Sequence, residues 1–112
     1  MHSQAPSAPE LNTLFAIGTR FNGKLTFEGG VRIDGYFEGE IQSEGTLVVG
    51  ETGEIVGEIA AGTVIVRGKV RGNILAKESI EIFAPSSVTG NIEAPTVTIE
   101  RGVAFQGSCK MG

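Results

Sequence analysis

A pair of apolar residues two positions apart recurs six times along this 112-residue chain, and no other feature limits its fold as severely. The pairs are Phe15/Ile17, Val31/Ile33, Leu47/Val49, Val64/Val66, Ile80/Ile82 and Val97/Ile99. Their first members are 16, 16, 17, 16 and 17 residues apart. A second signature, apolar-x-Gly-x-apolar, occurs once per interval. It begins as Phe21-x-Gly23-x-Leu25 and Phe37-x-Gly39-x-Ile41, then Ile55-x-Gly57-x-Ile59. It continues as Val70-x-Gly72-x-Ile74, Val88-x-Gly90-x-Ile92 and Phe105-x-Gly107-x-Cys109. The residue two positions further on is small at Ser43, Ala61, Ala76 and Ala94, with Phe27 and Met111 as exceptions.

Within each interval the apolar period is two, the period of a strand. Strands this short do not fold alone. A fixed interval lets successive copies stack in register and bury one continuous apolar column, the usual reading of such self-similarity. The expected fold is all-β: a parallel β-helix of about six coils of 16–17 residues, spanning 15–112. At about 4.8 Å of rise per coil, six coils make a rod of roughly 29 Å. Coil length varies by two residues in one corner, at Glu51 to Glu54, Ala84 to Ser87 and Gly102 to Ala104. Six of the 17 glycines sit in the repeated motif, while Gly30, Gly45 and Gly62 are expected in corners that favour positive φ. Residues 1–14 carry Pro6 and Pro9 without apolar period and read as a disordered tail.

Chemistry-bearing patterns are sparse. Gly18-Thr-Arg-Phe-Asn-Gly23-Lys24 matches most of a phosphate-binding loop, but Leu25 replaces the magnesium-binding Ser or Thr and a strand replaces the helix. Hexapeptide-repeat acyltransferases also form β-helices, but they rely on a histidine base, and here His2 in the tail is the single histidine. There is no His/Cys cluster and no Asp-rich calcium loop, so no metal or cofactor is expected. A net charge of −4 gives no reason to expect nucleic acid. The one cysteine, Cys109, takes the slot of Ile92 and Ile74 and is expected to be buried as a small hydrophobe. Asn73 and Asn91 are expected to stack, and the charged residues to form a solvated surface. The longest nearly apolar stretch, 59–66, is too short to span a membrane as a helix.

The ends of the rod carry the functional signal. Solenoids normally need polar capping units. Here the first coil brings Phe15, Ile17, Phe21 and Leu25, and the last brings Val97, Ile99, Phe105 and Cys109. Both ends would expose unpaired backbone and the cross-section of the core, a template for another chain. These two sets of four are the expected self-assembly interfaces, and no enzymatic activity is expected. A monomeric β-helix binding module for a carbohydrate or protein partner is the alternative; it calls for an exposed aromatic strip, of which only Tyr36 and Phe83 are present.

Residues 15–112 resemble the bactofilins. The resemblance rests on the six glycine motifs in register, on Val31-x-Ile33-Asp-Gly35 and on Val103-Ala-Phe105-x-Gly107-x-Cys109. It implies a bacterial cytoskeletal protein with a right-handed β-helix that polymerises without nucleotide into filaments, bundles or sheets. It further implies a C-terminal phenylalanine used in assembly, falling on Phe105, and scaffolding of cell-shape or cell-wall machinery. Met1-His-Ser-Gln-Ala differs from the apolar membrane-targeting peptide of many members. The expected location is therefore cytoplasmic, reaching the inner face of the cytoplasmic membrane through an adaptor. Cell-wall enzymes are the implied partners besides the chain itself.

Overall fold

A computed structural model describes residues 11–15 and 20–111, with side chains described from residue 20 onward. Ten strands form: β1 (Leu11–Phe15), β2 (Arg20–Phe27), β3 (Gly30–Ile33), β4 (Tyr36–Ser43) and β5 (Thr46–Val49). They continue as β6 (Glu54–Val66), β7 (Lys69–Ile82), β8 (Ser87–Ala94), β9 (Thr96–Ile99) and β10 (Ala104–Met111). Every pairing is parallel. The glycine-bearing segments stack in the order β2, β4, β6, β7, β8, β10; the segments carrying the apolar pairs stack as β1, β3, β5, β6, β7, β9. The fold is a parallel β-solenoid, in which six stacked segments are separated by five steps, or about five turns.

The stack places like on like. Phe21, Phe37, Ile55, Val70, Val88 and Phe105 form one column, and Leu25, Ile41, Ile59, Ile74, Ile92 and Cys109 another. Ile33, Val49, Val66 and Ile82 close the core from the second stack and are fully buried. Among the described residues no polar or charged side chain is buried. The core is therefore held by apolar area removed from water, at roughly 25 cal/mol per Å², and by backbone hydrogen bonds running along the rod.

The corner lengths follow the sequence spacing. Two residues separate Ile33 from Tyr36 and Val66 from Lys69, whereas four separate Val49 from Glu54, Ile82 from Ser87 and Ile99 from Ala104. Both kinds of corner are tied to the coil before them. Gly50 N–H donates to the Ile33 carbonyl at 2.9 Å and Glu54 N–H to the Gly35 carbonyl at 2.9 Å. The extra residues bulge outward, closed by Gly53 N–H on the Gly50 carbonyl at 2.9 Å and Thr52 Oγ1 on the Asp34 carbonyl at 2.8 Å.

The glycines divide differently from the expectation. Positive φ falls at every motif glycine, +149° at Gly23, +135° at Gly39, +137° at Gly57, +131° at Gly72 and Gly90 and +139° at Gly107, and at two corner glycines, +81° at Gly29 and +98° at Gly102. Gly30, Gly45 and Gly62 are not among the positive-φ residues. Gly45 is required by close approach instead, since a Cβ there would overlap the Gly29 carbonyl oxygen. From Gly39 onward each motif glycine has both constraints, because its Cβ would also overlap the carbonyl oxygen of the motif glycine one coil before. The glycine column is a place where backbone touches backbone along the whole rod.

The first strand departs from the sequence reading. β1 starts at Leu11, inside the segment 1–14 read as tail; residues 1–10 lie outside the described residues. Phe15 pairs with Ile33 rather than Val31, which faces Asn12, and the register slips between Thr13 and Phe15. Ile17, expected opposite Ile33, lies outside the described residues. An inner strand is held to its register from both sides, but β1 has a neighbour on one side only, so its apolar pattern fixes its register weakly.

The glycine column makes a graded prediction. Gly72→Ala should destabilise the fold by about 1–3 kcal/mol from backbone strain alone, with the carbonyl overlap adding to that. Gly23→Ala should cost clearly less, since its Cβ meets nothing closer than the Phe21 ring at 3.5 Å. Thermal unfolding followed by circular dichroism checks the order; equal losses would remove the coil-to-coil contact as the cause.

Candidate assembly interface

The two ends of the solenoid are edges. Among the described residues β2 pairs only with β4, and β10 only with β8, so each leaves one row of backbone N–H and C=O groups without a described strand partner. The end coils keep the apolar columns but lose their cover. At the C-terminal end Phe105 and Val97 are half-buried while Cys109 and Ile99 are exposed, Ile99 at 40% against 0% for Ile82 beneath it. At the N-terminal end Phe21 and Leu25 are half-buried against the core. The Phe21 and Phe37 rings stand 5.2 Å apart at 58°, a tilted aromatic pair. Phe15 contributes its backbone to β1 over Ile33, and Ile17 lies outside the described residues.

Cys109 corrects its expected burial. It occupies the column of Ile92, as its position in the motif requires, yet it is exposed, because β10 is the last described strand of its stack. The sequence reading noted Phe27 and Met111 as exceptions and Val103 in the closing motif, but placed none of the three in the end surfaces. Phe27 lies opposite Ser43, and Met111 opposite Ala94, so each end coil carries a large apolar side chain in a slot that inner coils keep small. Met111 is 61% exposed, and Phe27 packs half-buried against the core. The break in the small-residue rule was itself the signal. Val103 packs beside Phe105 at the same end.

The flanks offer no reactive constellation. The phosphate-loop-like segment runs into β2, with Gly23 and Lys24 paired in a parallel ladder to Gly39 and Glu40; its residues 18 and 19 lie outside the described residues. Among the described residues no cluster of His, Cys, Asp or Glu could hold a metal ion. No helix among them is long and apolar enough to cross a membrane. Asn91 Nδ2 donates to Asn73 Oδ1 at 3.2 Å, and Ser108 Oγ extends this ladder to Asn91 Oδ1 at 2.6 Å. Arg32 bridges to Asp34 at 3.0 Å and Lys77 to Glu44 at 2.9 Å, both at the surface, where such pairs contribute about 0–1 kcal/mol. Arg20 lies 4.6 Å over the Tyr36 ring and Arg67 5.0 Å over Phe83. Partial desolvation and the neighbouring Glu38, which accepts its hydrogen bond, push the Tyr36 hydroxyl above its usual range and keep it neutral. The two aromatic side chains are thus covered by arginines and do not form a bare strip.

Among the described residues, a parallel solenoid with apolar end coils and no reactive cluster fits a structural class of proteins. The profile of the bactofilin family, described as polymer-forming cytoskeletal, matches residues 13–110. The chain belongs to this family. It is 36% identical over 101 residues to bactofilin BacP of Myxococcus xanthus (strain DK1622), covering 90% of this chain and 42% of BacP. It is 29% identical over 100 residues to bactofilin BacO of the same strain, covering 89% of this chain and 79% of BacO. The solid-state NMR structure of the cytoskeletal bactofilin BacA superposes with a TM-score of 0.80 at 35% identity, covering 91% of this chain and 97% of that one. The chain is thus similar to less than half of BacP's length. The family is structural rather than catalytic, and the protein is a polymer-forming cytoskeletal one.

The exposed thiol at the C-terminal end reports on that edge. Cys109 should react readily with a small alkylating reagent in dispersed subunits and at least several-fold more slowly in polymer. Equal rates in the two states would exclude burial of this edge on assembly.

Proposed function

We propose that the protein polymerises end to end, each subunit continuing or capping its neighbour's solenoid, without nucleotide. One observation carries this reading: among the described residues the apolar columns run unbroken into both end coils, where their side chains are half-buried or exposed. Phe105, Cys109, Ile99 and Met111 present one such surface, and Phe21, Leu25 and Phe27 the other. Covering a side chain of this kind fully contributes about 1.5–3 kcal/mol, and pairing the β2 and β10 edges satisfies backbone groups at the same time. Two complementary or self-complementary ends on one rigid body generate a linear polymer rather than a closed oligomer. The resulting filament serves as a passive scaffold. Cell-wall enzymes or a membrane-bound adaptor are the partners that membership of the family suggests, with a location at the inner face of the cytoplasmic membrane.

Phe105→Arg tests the joint. A charge on the end surface should leave a folded, soluble short species with unchanged circular dichroism, where the parent gives filaments by negative-stain microscopy with no nucleotide added. Long filaments from Phe105→Arg would place the joint elsewhere. A parent protein that sediments as a monomer at high concentration would overturn end-to-end assembly and favour a monomeric binding module.

A further inference from the structure

One flank of the rod, away from both ends, carries an apolar knob beside an apolar notch. Leu75 points outward from β7 and is 49% exposed, whereas Val56 and Ile65, which also face outward in the inner coils, are half-buried. Three shallow depressions on this flank are each lined in part by Leu75. In the outward column to which it belongs, the order is Gln42, Ala60, Leu75, Glu93 and Lys110. Ala60, one coil before, is the smallest member of that column and is half-buried. The adjacent column runs Glu40, Glu58, Asn73 and Asn91.

We propose that this flank binds a second copy of the chain side by side, with the two rods antiparallel and each Leu75 seated in the notch over the partner's Ala60. The occupant follows from what a two-fold axis does to the pattern. An axis along the strand direction, passing between β6 and β7, brings Leu75 onto the partner's Ala60 twice. It also sets Glu58 opposite the partner's Asn73, Glu40 opposite the partner's Asn91 and Gln42 opposite the partner's Glu93. Each of these pairs places an amide, which can donate, against a carboxylate, which accepts. No like charges stand directly opposite each other, and the Lys77–Glu44 bridge stays within its own chain. An axis along the rod instead sets Glu40 against the partner's Glu44 and Leu75 against the partner's Leu75, pairing like charge with like charge and knob with knob. Such an isologous contact is small for one subunit. Along a filament it repeats at every subunit, so weak contacts add as linked binding events do. In that respect the inference rests on end-to-end assembly, although the contact itself involves neither end.

Disulfide trapping in a Cys109→Ser background tests it independently of filament formation. Mixing Gln42→Cys with Glu93→Cys chains under oxidation should yield the mixed covalent dimer as the main product. Gln42→Cys alone should yield several-fold less. The reverse result, efficient Gln42→Cys self-linking, would establish parallel pairing and overturn the proposal. Leu75→Lys, at an exposed site, supplies the second reading. It should retain the parent's high-speed pellet of single filaments and lose most of the low-speed pellet of laterally associated ones. Low-speed pelleting equal to the parent, or loss of both pellets together, would show that Leu75 does not serve a lateral contact. Failure of end-to-end assembly would appear instead as absent filaments in the parent, with the trapping result still readable.

Discussion

The structure depends on one repeated contact, in which the backbone of each coil lies against the backbone of the coil before it at the motif glycine. Positive φ at these residues lets the strand bend without leaving its ladder, and the missing side chain lets the carbonyl of the previous coil approach. Everything else in the coil is in register because this contact admits no slippage. A shift of one residue would put a side chain where only hydrogen fits, and would also turn the apolar columns outward. The stacking of phenylalanine on phenylalanine and isoleucine on isoleucine is therefore a consequence of the glycine column as much as a cause of stability.

From that constraint the proposed assembly follows. Among the described residues neither end coil replaces its apolar columns with a polar cap. The inner coils bury Phe37, Ile59 and Ile82 almost completely, and the terminal coils leave their counterparts open. The enlarged residues Phe27 and Met111 add apolar surface at the ends rather than removing it. Membership of a polymer-forming family agrees with this economy of design.

The solenoid was legible because its signal is redundant: six copies of a short pattern vote on one interval, and an error in one copy is outweighed. Corner lengths were readable for the same reason, as differences between otherwise equal intervals. Two of the features that were misread have only one neighbour. The register of β1 is set from one side, so Phe15 fell opposite Ile33 rather than Val31. Cys109 was placed in the right column, but burial depends on what lies against the outer side of β10, which a motif position does not encode. The conformation of a corner glycine depends on the path of a short loop, and composition does not encode that path. Leu75 escaped notice because an outward aliphatic residue interrupts no periodic pattern in its own coil.

The two kinds of corner have a consequence for dimensions. The four-residue corners bulge sideways while the strands on either side remain one ladder spacing from the coil below. Added residues there widen the subunit and leave its height unchanged. Length along the axis is quantised in units of a whole coil, about 4.8 Å each. The rod is therefore graduated in coils, and its flanks can change shape without altering the spacing of those graduations.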